Sequence, residues 1–203
     1  MKLRVTGVIL AGGMSTRFGR DKAVEPIAGQ PLIGRVLSTL SGVTDESVVV
    51  VNDKHRGAEL PLPDEAVVAV DAYPGSGSLG GIFTGLRATT SEWALVVACD
   101  MPFLNPTLLS RMLELRDGHD VVAPMLDGRP EPTHALYSNV CLPHMEEMLQ
   151  NGKLKITGFY DRVRVRYLAE DEVDRLDPGH LSFFNVNTQE DLDRANSLVA
   201  AEA

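Results

Sequence analysis

Five valine-rich stretches of strand length recur along the chain: VTGVIL (residues 5–10), SVVVVN (47–52), AVVAVD (66–71), WALVVACD (93–100) and DVVAPM (120–125). They are continuously apolar instead of alternating, the pattern of strands covered on both faces. Segments of helical period lie between them. Leu32, Ile33, Val36, Leu37 and Leu40 follow Pro31, a residue suited to a first helical turn. Asn105 before Pro106 is a helix-start signal, with Leu108, Leu109, Met112, Leu113 and Leu115 as the buried stripe. A further helix is expected from Leu142 to Gln150, ending near Gly152, and a last one from Thr188, where Thr-Gln-Glu-Asp resembles a capping box. Alternation of this kind predicts an α/β fold with three α/β/α layers, Rossmann-like, around a mainly parallel sheet. At 203 residues the chain is expected to form one domain, since no repeat, low-complexity tract or linker divides it. From Pro130 to Phe184 the rhythm breaks, with weaker strands at THALYS and RVRVRYL.

The formal net charge of −9 argues against a nucleic-acid or anionic-membrane partner, because both need a basic face. Cys99 and Cys141 form neither a CxxC pair nor a metal-ligand spacing, which fits a reducing compartment. Lys2 and Arg4 before an apolar run imitate a signal peptide, but the run from Val5 to Ala11 is short and broken by Thr6 and Gly7. No segment approaches the length of a membrane span, and a cytoplasmic protein is expected.

In open parallel sheets, ligands sit outside the carboxyl ends of the strands. LAGGMSTRFGRDKA (10–23) occupies that place after the first strand. Gly12 and Gly13 allow close backbone approach, while Ser15, Thr16, Arg17, Arg20 and Lys22 offer donors. Cations clustered beside backbone amides, in a chain that is acidic overall, suit a polyphosphate. The loop is not a Walker A motif, because five residues separate Gly13 from Gly19 and Lys22 comes three after the second glycine. GSGSLG (75–80) matches G-x-G-x-x-G by letter, with Asp100 at the distance of a ribose-binding acid. Asp71 to Pro74 intervene between strand and first glycine, so a second flexible loop over the same cleft is the better account than a dinucleotide site. Asp100 ends the most apolar strand, where a carboxylate suits a hard cation such as Mg²⁺ or, alternatively, a helix cap. Asp71, Asn185 and Asn187 also follow apolar runs, where turn and cap roles are equally natural, and all are expected at one edge of the sheet. Five histidines, at 55, 119, 134, 144 and 180, show no metal spacing. His134 reads as a satisfied or exposed strand histidine, and Cys99 as a buried small hydrophobe.

With these residues in view, LAGGMSTRFGRDKA resembles the nucleotidyltransferase signature LAGGxSxRxGxDK, and the chain is similar to the molybdenum cofactor guanylyltransferases. The likeness runs on through Asp71 with YPGSGSLGGI, then CDMPFL, RPEPTHALY and FFNVNTQEDL in the family's order. Ser78 departs from it, standing where proline is common, as does the pair Thr133-His134. The resemblance implies a fold of the nucleotide-diphospho-sugar transferase type and transfer of GMP from GTP to the phosphate of molybdenum-bearing molybdopterin, with Mg²⁺ as cofactor and pyrophosphate as product. It implies that Leu10, Ala11, Gly12 and Gly13 line the guanine pocket and that Asn52 and Asp71 contact the nucleoside. Arg17 and Lys22 would neutralise the triphosphate, Asp100 would hold the metal, and Asn187 would be a second metal ligand. It further implies an acceptor-binding segment around 127–184, partner proteins that deliver or receive the cofactor, and a monomer or weak homo-oligomer. The doubled glycine of LAGG points to guanine. Two alternatives stay open at this point: a same-fold enzyme using CTP or UTP or a sugar or polyol phosphate, and a non-catalytic nucleotide-binding protein.

Overall fold

The computed structural model of the chain describes residues 4–12 and 21–202. In chain order the elements are β1 (Val5–Leu10), the small hairpin of β2 (Pro26–Ile27) and β3 (Gln30–Pro31), α1 (Leu32–Ser41), β4 (Glu46–Val51) and α2 (Lys54–Glu59). There follow β5 (Val67–Val70), α3 (Gly77–Ala88), β6 (Trp93–Ala98), α4 (Pro106–Glu114), β7 (Val121–Leu126), β8 (Arg129–Pro130) and β9 (His134–Ser138). The chain closes with α5 (Leu142–Gln150), β10 (Val165–Leu168), α6 (Glu170–Asp174) and α7 (Gln189–Glu202). The main sheet has the order β10-β7-β9-β6-β1-β4-β5, with β8 paired to β7. β1 pairs in parallel with β4 and β6, β4 with β5, and β7 with β10; β9 runs antiparallel between β6 and β7, and the short β8 is antiparallel to β7.

The valine runs of β1, β4, β6 and β7 are apolar because both faces are covered. Side chains alternate along each strand. On one face Val5, Ile9, Val49, Val51, Leu95 and Val97 pack with Ile33 and Val36 of α1 and Leu108 and Met112 of α4. On the other, Val8, Val48, Val50, Ala94 and Val96 pack with Leu79, Ile82 and Phe83 of α3 and Met145 and Met148 of α5. The three expected layers result. A third cluster joins α7, through Leu192 and Ala195, to Ile27 of the hairpin and to Leu32 and Val186. Among the described residues no helix is long and apolar enough to cross a membrane.

The cap signals act as their chemistry requires. Asn105 Oδ1 accepts from the N–H groups of Thr107 (2.9 Å) and Leu108 (3.2 Å). Thr188 Oγ1 accepts from Asp191 N at 3.1 Å while Asp191 Oδ2 accepts from Thr188 N at 2.9 Å, a reciprocal capping box. Four expectations need correction. AVVAVD is not covered on both faces: β5 is the sheet edge, and Val67, Val68 and Val70 are 48%, 41% and 39% exposed. THALYS is no weak strand, since β9 is entirely buried inside the sheet. GSGSLG is only in part a loop, because α3 begins at Gly77. A short helix, α2, follows β4 where none was expected.

Candidate functional site

The carboxyl ends of β5, β4, β1 and β6 lie side by side, and a cleft of about 420 Å³ opens above them. Its walls include Leu10, Gly12, Lys22, Asn52, Asp71, Asp100, Gly75 of the turn before α3, and Gly77, Ser78 and Gly81 of α3 itself. The volume is within the range of small-ligand sites. Gly12 is pressed so closely on Asn52 that a Cβ there would collide with the Asn52 Oδ1. A Cβ on Gly81 would stand 3.1 Å from Leu10 Cδ2. Much of the wall is therefore bare backbone, which lets a flat ligand approach the main chain.

Asp100 follows β6, and its residue is 8% exposed. One carboxylate oxygen, Oδ2, pairs with the Lys22 ammonium. The other, Oδ1, is buried and has no hydrogen-bond partner. Lys22 Nζ also donates to Asn187 Oδ1 at 3.1 Å, so one cation bridges the two residues expected to hold a metal. The chain from Phe184 to Asn187 is brought there by Val186 N, which donates to the Asp100 carbonyl at 2.9 Å. Lys22 itself starts a short 3-10 turn, Lys22–Val24, that Asp21 caps by accepting from Ala23 N at 3.0 Å.

Asp71 lines the cleft and at the same time holds its own turn, because its Oδ1 accepts from Tyr73 N (2.9 Å) and from the Thr84 hydroxyl (3.1 Å). Leu10, Gly12 and Asn52 line the cleft directly; Ala11 stands behind the wall, its side chain in the core. Both backbone groups of Ala11 are engaged, N with Val50 O at 2.8 Å and O with Arg56 Nε at 2.6 Å. Asn187 sits exposed at the rim, whereas Asn185 turns away to donate to Phe183 O at 2.9 Å. Gly13 and Arg17, with Ser15, Thr16 and Arg20, lie outside the described residues.

Cys99 also lines the cleft, but burial, with a smaller push from the Asp100 charge, raises its thiol to about 12. Such a thiol is no nucleophile near neutral pH. His134, the first residue of β9, pairs with Val97 near this end of the sheet. It is not exposed: it is fully buried, neither ring nitrogen makes a well-formed hydrogen bond, and its ring lies 4.7 Å from that of Phe183. Sequence reasoning also passed over Arg56, a buried arginine of α2 that binds residues on both sides of segment 13–20.

Residues 7–164 match the MobA-like NTP transferase domain. The chain belongs to this family. A protein of Desulfosudis oleivorans named molybdenum cofactor guanylyltransferase is 38% identical over 202 residues, covering 97% of this chain and 96% of that protein. The crystal structure of molybdopterin-guanine dinucleotide biosynthesis protein A from Archaeoglobus fulgidus superposes with a TM-score of 0.84 at 31% identity, covering 97% of this chain and 99% of that one. The fold is shared more widely: 4-diphosphocytidyl-2C-methyl-D-erythritol synthase from Anaerococcus prevotii aligns with a TM-score of 0.71 at 17% identity over 98% of this chain and 96% of its own. The strand-end cleft with Lys22 and Asp100 on its wall lies where ligands of open parallel sheets sit.

Proposed function

We propose that the chain transfers GMP from GTP to the phosphate of molybdopterin, releasing pyrophosphate. The observation that carries this reading is the gathering of Leu10, Gly12, Lys22, Asn52, Asp71 and Asp100 around one cleft. The name borne by a relative matched along nearly the whole chain supports the substrate assignment.

An oxygen of the acceptor phosphate attacks the α-phosphorus of GTP, and the bond from that phosphorus to the oxygen bridging the β-phosphate breaks, its electron pair leaving with pyrophosphate. Two anions must be held together, so the protein's work is positioning and charge stabilisation, with no side-chain nucleophile. Lys22 presents its ammonium to the triphosphate, and Leu10 and Gly12 offer the base a wall of backbone and one aliphatic side chain. Asp100, fixed by its place after β6, accepts from Lys22 and keeps a second oxygen unpaired. That orphaned oxygen, with Asn187 Oδ1 beyond Lys22, fits a Mg²⁺ site. Among the described residues no group of three His, Cys, Asp or Glu could hold a metal, so phosphate oxygens and water would complete the shell, as Mg²⁺ commonly requires. When bound, Mg²⁺ would supply positive charge to the phosphate oxygens. The acceptor is assigned to the segment around 127–184 of the same domain. Because β9 runs antiparallel, its first residue stands beside the carboxyl end of β6, and residues 127–133 that lead into it arrive on the side of Asp100.

Thermal denaturation with GTP, ATP, CTP and UTP, each with Mg²⁺, tests the nucleotide. A ligand at a hundred times its Kd adds about 2.7 kcal/mol, which is roughly 5–10 °C for a chain of this size. GTP alone is expected to give that shift, and a larger response to CTP or UTP would overturn the guanine assignment. Pyrophosphate release on adding molybdopterin, abolished in Asp100→Ala, tests the reaction; GTP binding without release would make the chain a binding protein.

A further inference from the structure

Arg56 takes no part in the chemistry above, yet its guanidinium is buried beside the proposed phosphate site and, among the described residues, its bonds run to that site's two flanks. Its Nε donates to the Ala11 carbonyl at 2.6 Å, and its two terminal nitrogens grip the Asp21 carboxylate, Nη2 reaching Oδ1 at 2.9 Å and Nη1 bonding Oδ2. The side chains of Arg56 and Asp21 are 8% and 27% exposed. Ala11 leads directly to Gly12, which abuts Asn52 on the wall assigned to the base. Asp21 caps the turn that aims Lys22 at Asp100. Arg56 is itself held from the same wall, since Asp53, next to Asn52, accepts from Arg56 N at 2.9 Å and starts α2.

Stability alone is a poor reason for such a pair. Removing two charges from water costs as much as their attraction returns, and apolar side chains of like volume often serve as well. What only a planar fork of donors provides is fixed geometry between a carbonyl on one side and a carboxylate on the other, which a lysine ammonium cannot reproduce. We propose that Arg56 is a positioning residue that sets the spacing between the base-facing residues Leu10–Gly12 and the phosphate-facing Lys22, so that one nucleotide engages both at once. The gain is that of linked binding: once the base is seated, the triphosphate meets its cation at high effective concentration, provided the two halves are correctly spaced. The inference rests on the reading of the cleft as a nucleoside triphosphate site.

The test is calorimetric titration of GTP, GMP and tripolyphosphate with Mg²⁺ into the wild-type chain, Arg56→Met, Arg56→Lys and Asp21→Asn. The advantage of GTP over GMP is expected to shrink at least tenfold in Arg56→Met, in line with what small misplacements cost, while GMP and tripolyphosphate stay within about twofold of wild type. Arg56→Lys is expected to fail to restore that advantage. An unchanged advantage, an equal fall in all three affinities, or full rescue by lysine would overturn the proposal. If Arg56→Met does not fold, Asp21→Asn, which keeps the shape and removes one charge, is judged by the same criteria. If wild type prefers another triphosphate, the guanine reading fails and the comparison is made with that nucleotide and its monophosphate; if it binds none, both readings fall.

Discussion

Acidification should weaken this protein through His134 before most of its carboxylates respond. The ring is fully buried on β9 against Phe183, with no well-formed hydrogen bond to either nitrogen. Burial pushes its pKa from 6.5 down to about 4; Asp177 and the Ser182 backbone pull the other way but do not offset the desolvation. In the unfolded chain the histidine titrates near about 6.5. Between those values the unfolded state binds the proton and the folded state does not, so the stability is complete above about pH 6.5 and is lost as pH falls toward 4. At about 1.4 kcal/mol for each pH unit in that window, the loss is about 2 kcal/mol at pH 5 and about 3 kcal/mol by pH 4. Glu131, raised by its own burial, works in the opposite sense and is present in any variant of His134. Urea unfolding of wild type and His134→Leu at pH 7.5, 6 and 5 isolates the histidine. Wild type should lose about 2 kcal/mol more than the variant between pH 7.5 and 5. The variant should be no less stable at pH 7.5, because leucine removes buried ring nitrogens that lack well-formed hydrogen bonds. Parallel pH curves for the two proteins would refute the argument.

Gly85→Ala drives a Cβ into Val8 Cγ1, where α3 lies against β1, and should cost about 1–3 kcal/mol, read as a lower melting temperature. Gly12→Ala displaces only the exposed Asn52 carboxamide, so the KM for GTP should rise about three- to tenfold with little change in melting temperature. Cys99 should resist iodoacetamide in the folded chain at pH 8, since its thiol is pushed up to about 12; stoichiometric labelling by mass spectrometry would contradict its burial. Asp100→Asn should bind GTP more tightly than wild type in EDTA and lose the gain that Mg²⁺ brings, both read by titration.

Hydropathy made β1, β4, β6 and β7 legible because a strand covered on both faces has no polar positions to hide it. The same signal misplaced β5, since valines at 67, 68 and 70 record β-propensity and not what lies beyond them. Periodicity carries no direction, so nothing in THALYS announces an antiparallel strand in the middle of the sheet. In α3 the glycines that lower helix propensity are there for packing: Gly80 stands 3.0 Å, at its missing Cβ, from Tyr73 O, and Gly85 lies on Val8. Asp71 and Asp100 could be placed on the cleft because the fold class says where strand ends open to ligands. Arg56 could not, because its partners lie 35 and 45 residues away and no local pattern joins them.

That distant pairing bears on how an acidic chain binds a polyanion. Among the described residues lining the cleft, Lys22 is the single cation, and it is already paired with Asp100. Behind the wall, Arg56 is neutralised by Asp21. A triphosphate that drew Lys22 to itself would leave the Asp100 carboxylate facing phosphate oxygens with one oxygen buried and unpartnered, an arrangement in which like charges repel strongly at low dielectric. On the proposed reading, nucleotide and divalent cation should bind with thermodynamic linkage, the cation relieving the charge that the triphosphate exposes, so that each raises the other's affinity by the same factor. Replacing Asp100 with asparagine removes the carboxylate that creates the linkage, which is why its effect should be opposite in sign with and without metal.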